Sequence, residues 1–455
     1  MAFKAVSVTA VFFVIIHAVR STQWSDTVSD GCFCKLQGEV DDCSCKVESL
    51  DSLNNNQIYP RLKSLLTRNF FRYFKVNLQK PCPFWTDDSR CALKDCHVNV
   101  CSEDQVPIDV KQNKQDIENK YSKEAQQDGH TCQEERELSA LDTTLSESSK
   151  QAFKDWKDYD DSLDMFCEMD DEHSADLQYV DLLLNPERYT GYKGMSPHRI
   201  WRSVYEENCF KPSEKLHYGP DQDNLSNMCL EKRAFYRMIS GLHTSINIHL
   251  CDQYLHPSDS AFGPPKWGPN IKEFRQRFDP ETSDGQGPQR LKNLYFAYLV
   301  ELRALAKAAP YLLQAEYYTG NSAQDEDVRN AVKDLLQIIR SFPDHFDESK
   351  LFQDHSLETL KLKMEFRDHF RNISRIMDCV GCDKCRLWGK LQVLGMGTAL
   401  KILFSGNSMD PGSTVSADFK ADFQLTRTEI VALFNAFGRL SSSIHSLENF
   451  RKLMR

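Results

Sequence analysis

The sequence predicts a mainly α-helical protein. It should form a single large helical domain with a helix-bundle core, preceded by a small disulfide-stapled hairpin and interrupted by a long cysteine-bearing loop. Three observations carry this reading. Apolar residues recur at helical spacing over long stretches, as in Phe235, Met238, Ile239, Leu242, Ile246 and Leu250, and again in Val431, Phe434, Phe437, Leu440, Ile444 and Leu447. The 455 residues are 40% apolar and 11% aromatic, enough to bury a large core, and no repeat or linker divides the chain after about Leu50. Between Ser102 and Thr131 aliphatics are few and periodicity is lost, so that stretch reads as a mobile loop, about residues 90–132 with its flanking cysteines.

Residues 1–22 read as a secretory signal peptide. Lys4 precedes the apolar run Ala5 to Val19, and cleavage is expected between Ala18 and Thr22; a signal anchor is the alternative. No later stretch reaches the roughly 20 apolar residues of a membrane span, so a luminal or extracellular protein without a transmembrane span is expected, compatible at most with peripheral association at a membrane. The net charge of -10 argues against nucleic acid as a partner. Entry into an oxidising compartment makes disulfides the default reading of the 16 cysteines. Asn224 and Asn372 open two glycosylation sequons. The chain ends Lys452-Leu-Met-Arg455 without a retrieval signal, so retention in the endoplasmic reticulum would depend on something it binds.

Residues 23–50 carry two Cys-x-Cys units around a turn-rich stretch. Nested bridges, Cys32 to Cys45 and Cys34 to Cys43, are the simplest arrangement for a stapled hairpin. The helical domain spans residues 51–455. Its first helix is expected from Ile58 to Val76, before Pro81-Cys82-Pro-Phe-Trp85. Cys91 and Cys96 follow on the mobile loop, with Cys101 and Cys132 beyond. A cysteine pair on a mobile loop suits a shuttle that meets an outside partner and then turns inwards; a plain loop staple is the alternative.

The acidic run Asp155 to Asp176 lacks the register of a calcium-binding loop and reads as a solvated face around Cys167, which is expected to be unpaired, so no metal site is assigned. From Tyr179 a short helix is expected to run into the turn Leu184 to Gly194, where Arg188 and neighbouring aromatics, with Trp201 beyond, could grip a planar phosphorylated ligand. Cys209 and Cys229 bracket a polar loop and suit a staple at its base. On the helix that follows, Ser240 and His243 share neighbouring faces without completing a hydrolase triad, and Cys251 near its end is expected to be unpaired. Pro and Gly clusters bracket Phe274 to Phe278. Further helices are expected at Leu291 to Leu313, with Arg290 at its start, at Val328 to Ile339, and from the capping box Thr426-Arg-Thr-Glu429.

The chemical centre is Cys379-Val-Gly-Cys382-Asp-Lys-Cys385, at a junction between two helical segments. Cys-x-x-Cys is the redox dithiol spacing, and the third thiol needs another role. Three readings compete. A zinc knuckle lacks a fourth ligand. Ordinary staples in a secreted binding module explain the even count but not two close pairs. In the third, a thiol oxidase, Cys91 and Cys96 take electrons from a partner dithiol and hand them to Cys382 and Cys385. An oxidase also needs a redox cofactor, and Gly395-Met-Gly397 lacks the glycine and strand context of a Rossmann site, which excludes a standard Rossmann flavin or nicotinamide site but not a flavin gripped between helices.

Pro81 to Trp85, the Cys91/Cys96 pair, Leu184-Asn-Pro-Glu-Arg-Tyr-Thr-Gly-Tyr-Lys-Gly194, Tyr205-Glu-Glu-Asn-Cys-Phe210 and Cys379 to Gly389 together resemble the endoplasmic reticulum oxidoreductin-1 family, from about Cys32 to Leu453. The resemblance implies a flavin-dependent sulfhydryl oxidase, monomeric, that re-oxidises protein disulfide isomerase and related thioredoxin-fold proteins and passes electrons to molecular oxygen, giving hydrogen peroxide. It implies that Cys382 and Cys385 are the active-site pair and Cys91 and Cys96 the shuttle, with Cys379 bridged to Cys82. FAD would be held in the helical core by Arg188, Thr190, Trp201, Ser240, His243, Arg277 and Arg290. Regulatory bridges would join Cys91 to Cys132 and Cys96 to Cys101, and Cys209 to Cys229 would staple a loop.

Overall fold

The computed structural model describes residues 36–86, 96–108, 110, 166–168, 170, 174–188, 195–210, 224–256, 266–319, 321–343, 346–353, 356–405 and 423–454. The signal segment, Cys32, Cys34, Cys91, Cys132, Thr190 and most of the acidic run lie outside them.

Helices dominate because the periodic apolar stripes can be buried only against one another. Short helices α1 (Val47–Leu53), α2 (Tyr59–Leu65) and α3 (Asn69–Arg72) lead into β1 (Tyr73–Val76), which pairs antiparallel with β2 (Gln178–Asp181). Then come α4 (Met195–Arg202) and α5 (Leu230–Asp252), a second hairpin of β3 (Tyr254–His256) and β4 (Lys266–Gly268), and α6 (Ile271–Phe278). The chain finishes with α7 (Gln286–Gln314), α8 (Ser322–Ser341), α9 (Leu357–Ile376), α10 (Asp383–Leu403) and α11 (Arg427–Leu453). The four longest, α5, α7, α10 and α11, pack together as the bundle, and α8 covers α7.

Two glycines let these helices approach. A Cβ at Gly241 would run into the Asn293 carbonyl of α7, and one at Gly395 into Ala432 and Ala436 of α11. Gly395 therefore serves helix packing, consistent with its exclusion as a nucleotide loop. The expected capping box is formed: Thr426 Oγ1 accepts from the Glu429 N–H at 3.2 Å, and the Thr426 N–H donates to the Glu429 carboxylate at 2.8 Å. Buried aromatics such as Tyr295, Phe296, Phe366 and Phe370 fill one continuous core that also takes in Val40 and Cys45 of the N-terminal turn. Among the described residues no helix is long and apolar enough to cross a membrane.

Three local expectations are corrected. The helix expected to run to Val76 stops at Arg72, and the expected short helix from Tyr179 is instead strand β2. Tyr73 to Val76 pairs with a partner more than 100 residues away, and Arg72 pairs with the buried Asp181 at the join, so a non-local ladder outweighs local periodicity. The N-terminal hairpin forms without the Cys34–Cys43 bridge, because Cys43 is a free buried thiol. Backbone pairing (Val40 N–H to the Cys45 carbonyl, 2.8 Å) holds the turn, and Arg237 reaches both Asp41 and Asp42 at 2.9 Å.

Candidate active site

Two residues separate an anchoring cysteine from a second one buried at a helix start. α9 ends in a turn, Met377–Cys379, whose last residue is joined to Cys82 by a disulfide closing 297 residues of chain, with Cα atoms 4.4 Å apart. A cross-link over so long a loop contributes roughly 5 kcal/mol in the chain-entropy account. Cys382 then N-caps α10, its Sγ accepting from the Cys385 N–H at 3.4 Å. Cys382 has no exposed surface, whereas Cys385 is half-buried and faces a cavity. The inner thiol is thus shielded and its neighbour is reachable.

Charges buried beside the junction hold it. Lys390 Nζ donates to Asp378 at 2.7 Å, to Asp170 at 2.9 Å and to the Asn77 carbonyl at 3.1 Å. Burial raises the Asp378 pKa above the usual carboxylate range, with Lys390 pulling the other way. Arg386 spans the same gap, from the Val380 carbonyl at 2.8 Å to that of Leu78 at 2.5 Å.

The cavity holds about 200 Å3 and is walled mainly by apolar side chains of α4, α5 and α10. Arg188, Trp201, His243 and Cys385 all line it. Trp201 stacks on His243 with ring centres 3.6 Å apart and planes 19° from parallel. The Tyr205 hydroxyl lies 2.9 Å from His243 Nδ1. Burial, helped by Arg290 and Arg277, pushes the His243 pKa down to about 3, so the ring is neutral at physiological pH.

Ser240, one turn away, is committed to Asn293, which donates to its Oγ at 2.9 Å. Arg290 bonds Gln286 at 2.8 Å. Arg277 reaches Asn247 at 2.6 Å, but its Nε is buried with no hydrogen-bond partner. Ser240, Arg277 and Arg290 do not themselves line the cavity, though both arginines lie close enough to His243 to lower its pKa; with Arg188 on the lining and the stacked aromatic wall, the arrangement fits a planar ligand carrying phosphate, so these residues suit FAD.

Sequence reasoning missed the cavity floor. Glu187 pairs with Arg439, accepts from Gln392 at 3.3 Å, and its carbonyl lies 2.6 Å from His249 Nε2. Burial would raise the Glu187 pKa, yet Arg439, His249 and Gln392 together hold it below the usual range. Gln392 stands seven residues after Cys385, on the same helical face, and that spacing could have revealed it.

Of the cysteines expected to form the shuttle and its bridges, Cys96 is buried and disulfide-bonded. Cys101 is a free, half-buried thiol, so the expected Cys96–Cys101 bridge is not formed. The reason is local pairing: Val100 bridges Val180, and the Cys101 N–H donates to the Tyr179 carbonyl at 2.9 Å, drawing Cys101 onto β2. Nor is the Cys209–Cys229 staple formed: Cys229 is an exposed free thiol preceding α5, whereas Cys209 is buried in the core. Cys167 and Cys251 are buried free thiols, as expected. Asn372 sits half-buried on α9, and Asn224 falls in a short 3-10 turn.

A helical bundle that sets a Cys-x-x-Cys pair, one cysteine sealed and the other facing a cavity, at the start of a core helix fits the oxidoreductases that act on disulfides. The family model Endoplasmic Reticulum Oxidoreductin 1 matches residues 57–447, and the chain belongs to that family. It is 52% identical over 446 residues to the Ero1-like protein of Drosophila melanogaster, covering 94% of this chain and 92% of that one. It is 50% identical to ERO1-like protein alpha of Homo sapiens, covering 94% and 93%. The solved structure of Ero1p, described as a source of disulfide bonds for oxidative protein folding in the cell, aligns with a TM-score of 0.57 at 29% identity, covering 89% of this chain and 97% of that one. A cysteine double mutant of Ero1p aligns at 0.55 and 32% identity, covering 89% and 98%.

Proposed function

We propose that this protein is a thiol oxidase of the endoplasmic reticulum lumen that re-oxidises protein disulfide isomerase and related thioredoxin-fold proteins. The observation that carries the proposal is the sharing of one cavity by Cys385, Trp201, His243 and Arg188. Cys91 and Cys96 form the outer pair. A partner dithiol reduces their disulfide by exchange, and the resulting outer dithiol then reduces the Cys382–Cys385 disulfide, so two electrons move inwards and the partner leaves oxidised. Arg188, Thr190, Trp201, Ser240, His243, Arg277 and Arg290 would hold FAD. When bound, FAD supplies two-electron transfer from the inner dithiol to molecular oxygen, which becomes hydrogen peroxide. The neutral His243 ring gives a flat, uncharged surface for stacking, and the shielded Cys382 keeps the inner pair from indiscriminate exchange. Protein disulfide isomerase sits near about -180 mV, so an outer pair only slightly more oxidising suffices. We read the protein as a monomer, without nucleic-acid partners and compatible with peripheral membrane association, with glycans at Asn224 and Asn372.

The test is the colour and kinetics of the purified chain. It should be yellow, release FAD on denaturation, and consume oxygen with stoichiometric peroxide when given reduced protein disulfide isomerase. Cys382→Ala should abolish oxidation of every thiol substrate, while Cys91→Ala should spare small dithiols that reach the inner pair directly. A colourless protein carrying zinc would sink the proposal in favour of a zinc knuckle. A colourless protein without metal would favour a stapled binding module.

A further inference from the structure

Asn185 has no exposed surface, and every hydrogen-bonding group it owns is used. Its side-chain amide meets Asn99 as one peptide group meets another across a ladder. The Asn99 N–H donates to Asn185 Oδ1 at 2.7 Å, and Asn185 Nδ2 donates to the Asn99 carbonyl at 2.8 Å. The second Nδ2 hydrogen and the Asn185 backbone N–H both reach the Asp181 carbonyl, each at 3.0 Å. From the opposite side, the Trp388 indole N–H donates to the Asn185 carbonyl at 2.9 Å.

Closing the turn after β2 would need only the bonds to Asp181. The other three lead elsewhere, and both destinations carry redox cysteines. Asn99 lies three residues after Cys96 and begins the short run, Asn99 to Cys101, that pairs along β2. Trp388 lies one turn beyond Cys385 on α10. On the other flank, the chain leaving Cys82 is bonded to Cys379, three residues before Cys382. The arm between Cys82 and Asn99 is therefore fastened on both sides of the inner pair, by a disulfide at one end and by Asn185 at the other.

We infer that Asn185 is a positioning residue for dithiol transfer, setting where the Cys96 arm stands relative to α10 and hence to Cys382 and Cys385. The inference rests on the reading of Cys91 and Cys96 as the outer pair. In the step it serves, an outer thiolate attacks the inner disulfide to give a mixed disulfide. The second outer thiolate then displaces the inner thiol, so the outer dithiol becomes a disulfide and the inner disulfide a dithiol. The exchange is internally balanced, and its rate depends on the two pairs meeting in line.

The experiment uses full-length Asn185→Asp and Asn185→Ala proteins with two substrates, reduced thioredoxin as a protein dithiol and dithiothreitol as a small one. Asn185→Asp keeps the shape and the acceptor but turns the donor that faces two carbonyls into a second acceptor. Oxygen consumption with thioredoxin should fall by about tenfold, the scale of one lost buried hydrogen-bonded pair. Consumption with dithiothreitol should stay within about twofold, with flavin content unchanged. Trp388→Phe, which removes the indole donor and keeps a ring, should shift the same ratio in the same direction even if the Asn185 variants fold poorly. Equal loss on both substrates, or no loss on either, overturns the inference. Cys91→Ala is run in parallel. If it does not separate the substrates, the outer-pair reading has failed and the inference with it; if it does and Asn185→Asp does not, the inference alone falls.

Discussion

Lys390 Nζ lies 2.7 Å from the carboxylate of Asp378, the residue before the anchoring Cys379, so a helix of the bundle holds the thiol junction by a charge pair with almost no solvent access. Removing one member of such a pair leaves the other buried and uncompensated, which outweighs the attraction itself. We expect Lys390→Met to lower stability by about 2–4 kcal/mol, discounted because Lys80 also stands near Asp378. Lys390→Met with Asp378→Asn should lose less than Lys390→Met alone. Urea unfolding of the three proteins decides this, and additive losses would show that the two residues act independently.

His243 sets a pH dependence whose sign follows from its lowered pKa. The unfolded chain takes up a proton near pH 6.5, whereas the folded ring resists it down to about 3, so this group's contribution is complete above pH 6.5 and is lost progressively as pH falls towards 3. At pH 5 the loss should be roughly 2 kcal/mol relative to pH 7. Urea midpoints at the two values should show a drop in the parent protein that is smaller by that amount in His243→Gln. Identical drops in both would count against a buried neutral imidazole.

Glycine at 395 is dictated by α11. Gly395→Ala places a methyl group against the Ala432 carbonyl and the Ala436 side chain, and overpacking of this kind costs about 1–3 kcal/mol. The backbone of one helix must move, so the thermal midpoint should fall although alanine is the better helix former. A raised midpoint would mean that the two helices have room to part.

Arg277 offers a test that does not depend on turnover. Its Nε is buried without a partner. Arg277→Met should therefore retain less flavin after dialysis, and the loss of its bonds to Asn247 and Glu273 should lower stability by about 1–3 kcal/mol. Full flavin retention would exclude Arg277 from the site.

Control by the loop cysteines predicts a faster resting enzyme on removal of Cys132. On the proposed reading, a Cys91–Cys132 bridge withholds the outer pair, and Cys132→Ala should shorten the lag in oxygen consumption after addition of a reduced partner. An unchanged trace would remove that role.

Much of the site was legible because helical spacing is local. Phe235 to Leu250 marked one face of α5, and Cys385, Arg188 and Trp201, singled out from the sequence, line one cavity. The signals that failed were those whose partners are remote. Tyr73 to Val76 looked helical until β2 supplied a ladder, and Glu187 passed unnoticed because Arg439, which neutralises it, lies 252 residues away. The missing Cys34–Cys43 and Cys209–Cys229 bridges teach the same lesson, since cysteine spacing bounds what can pair without fixing what does.

By itself the sequence determined the helical class, because period and caps act over a few residues, and it carried the family in long motif strings such as Leu184 to Gly194 and Cys379 to Gly389. Only the tertiary structure decided that Cys382 is sealed while Cys385 faces the cavity, that Trp201 lies on His243, and that Asn185 ties the Cys96 arm to α10. Each of these depends on which groups exclude water from one another across long stretches of chain, and burial is a property of the assembled core that no local pattern encodes.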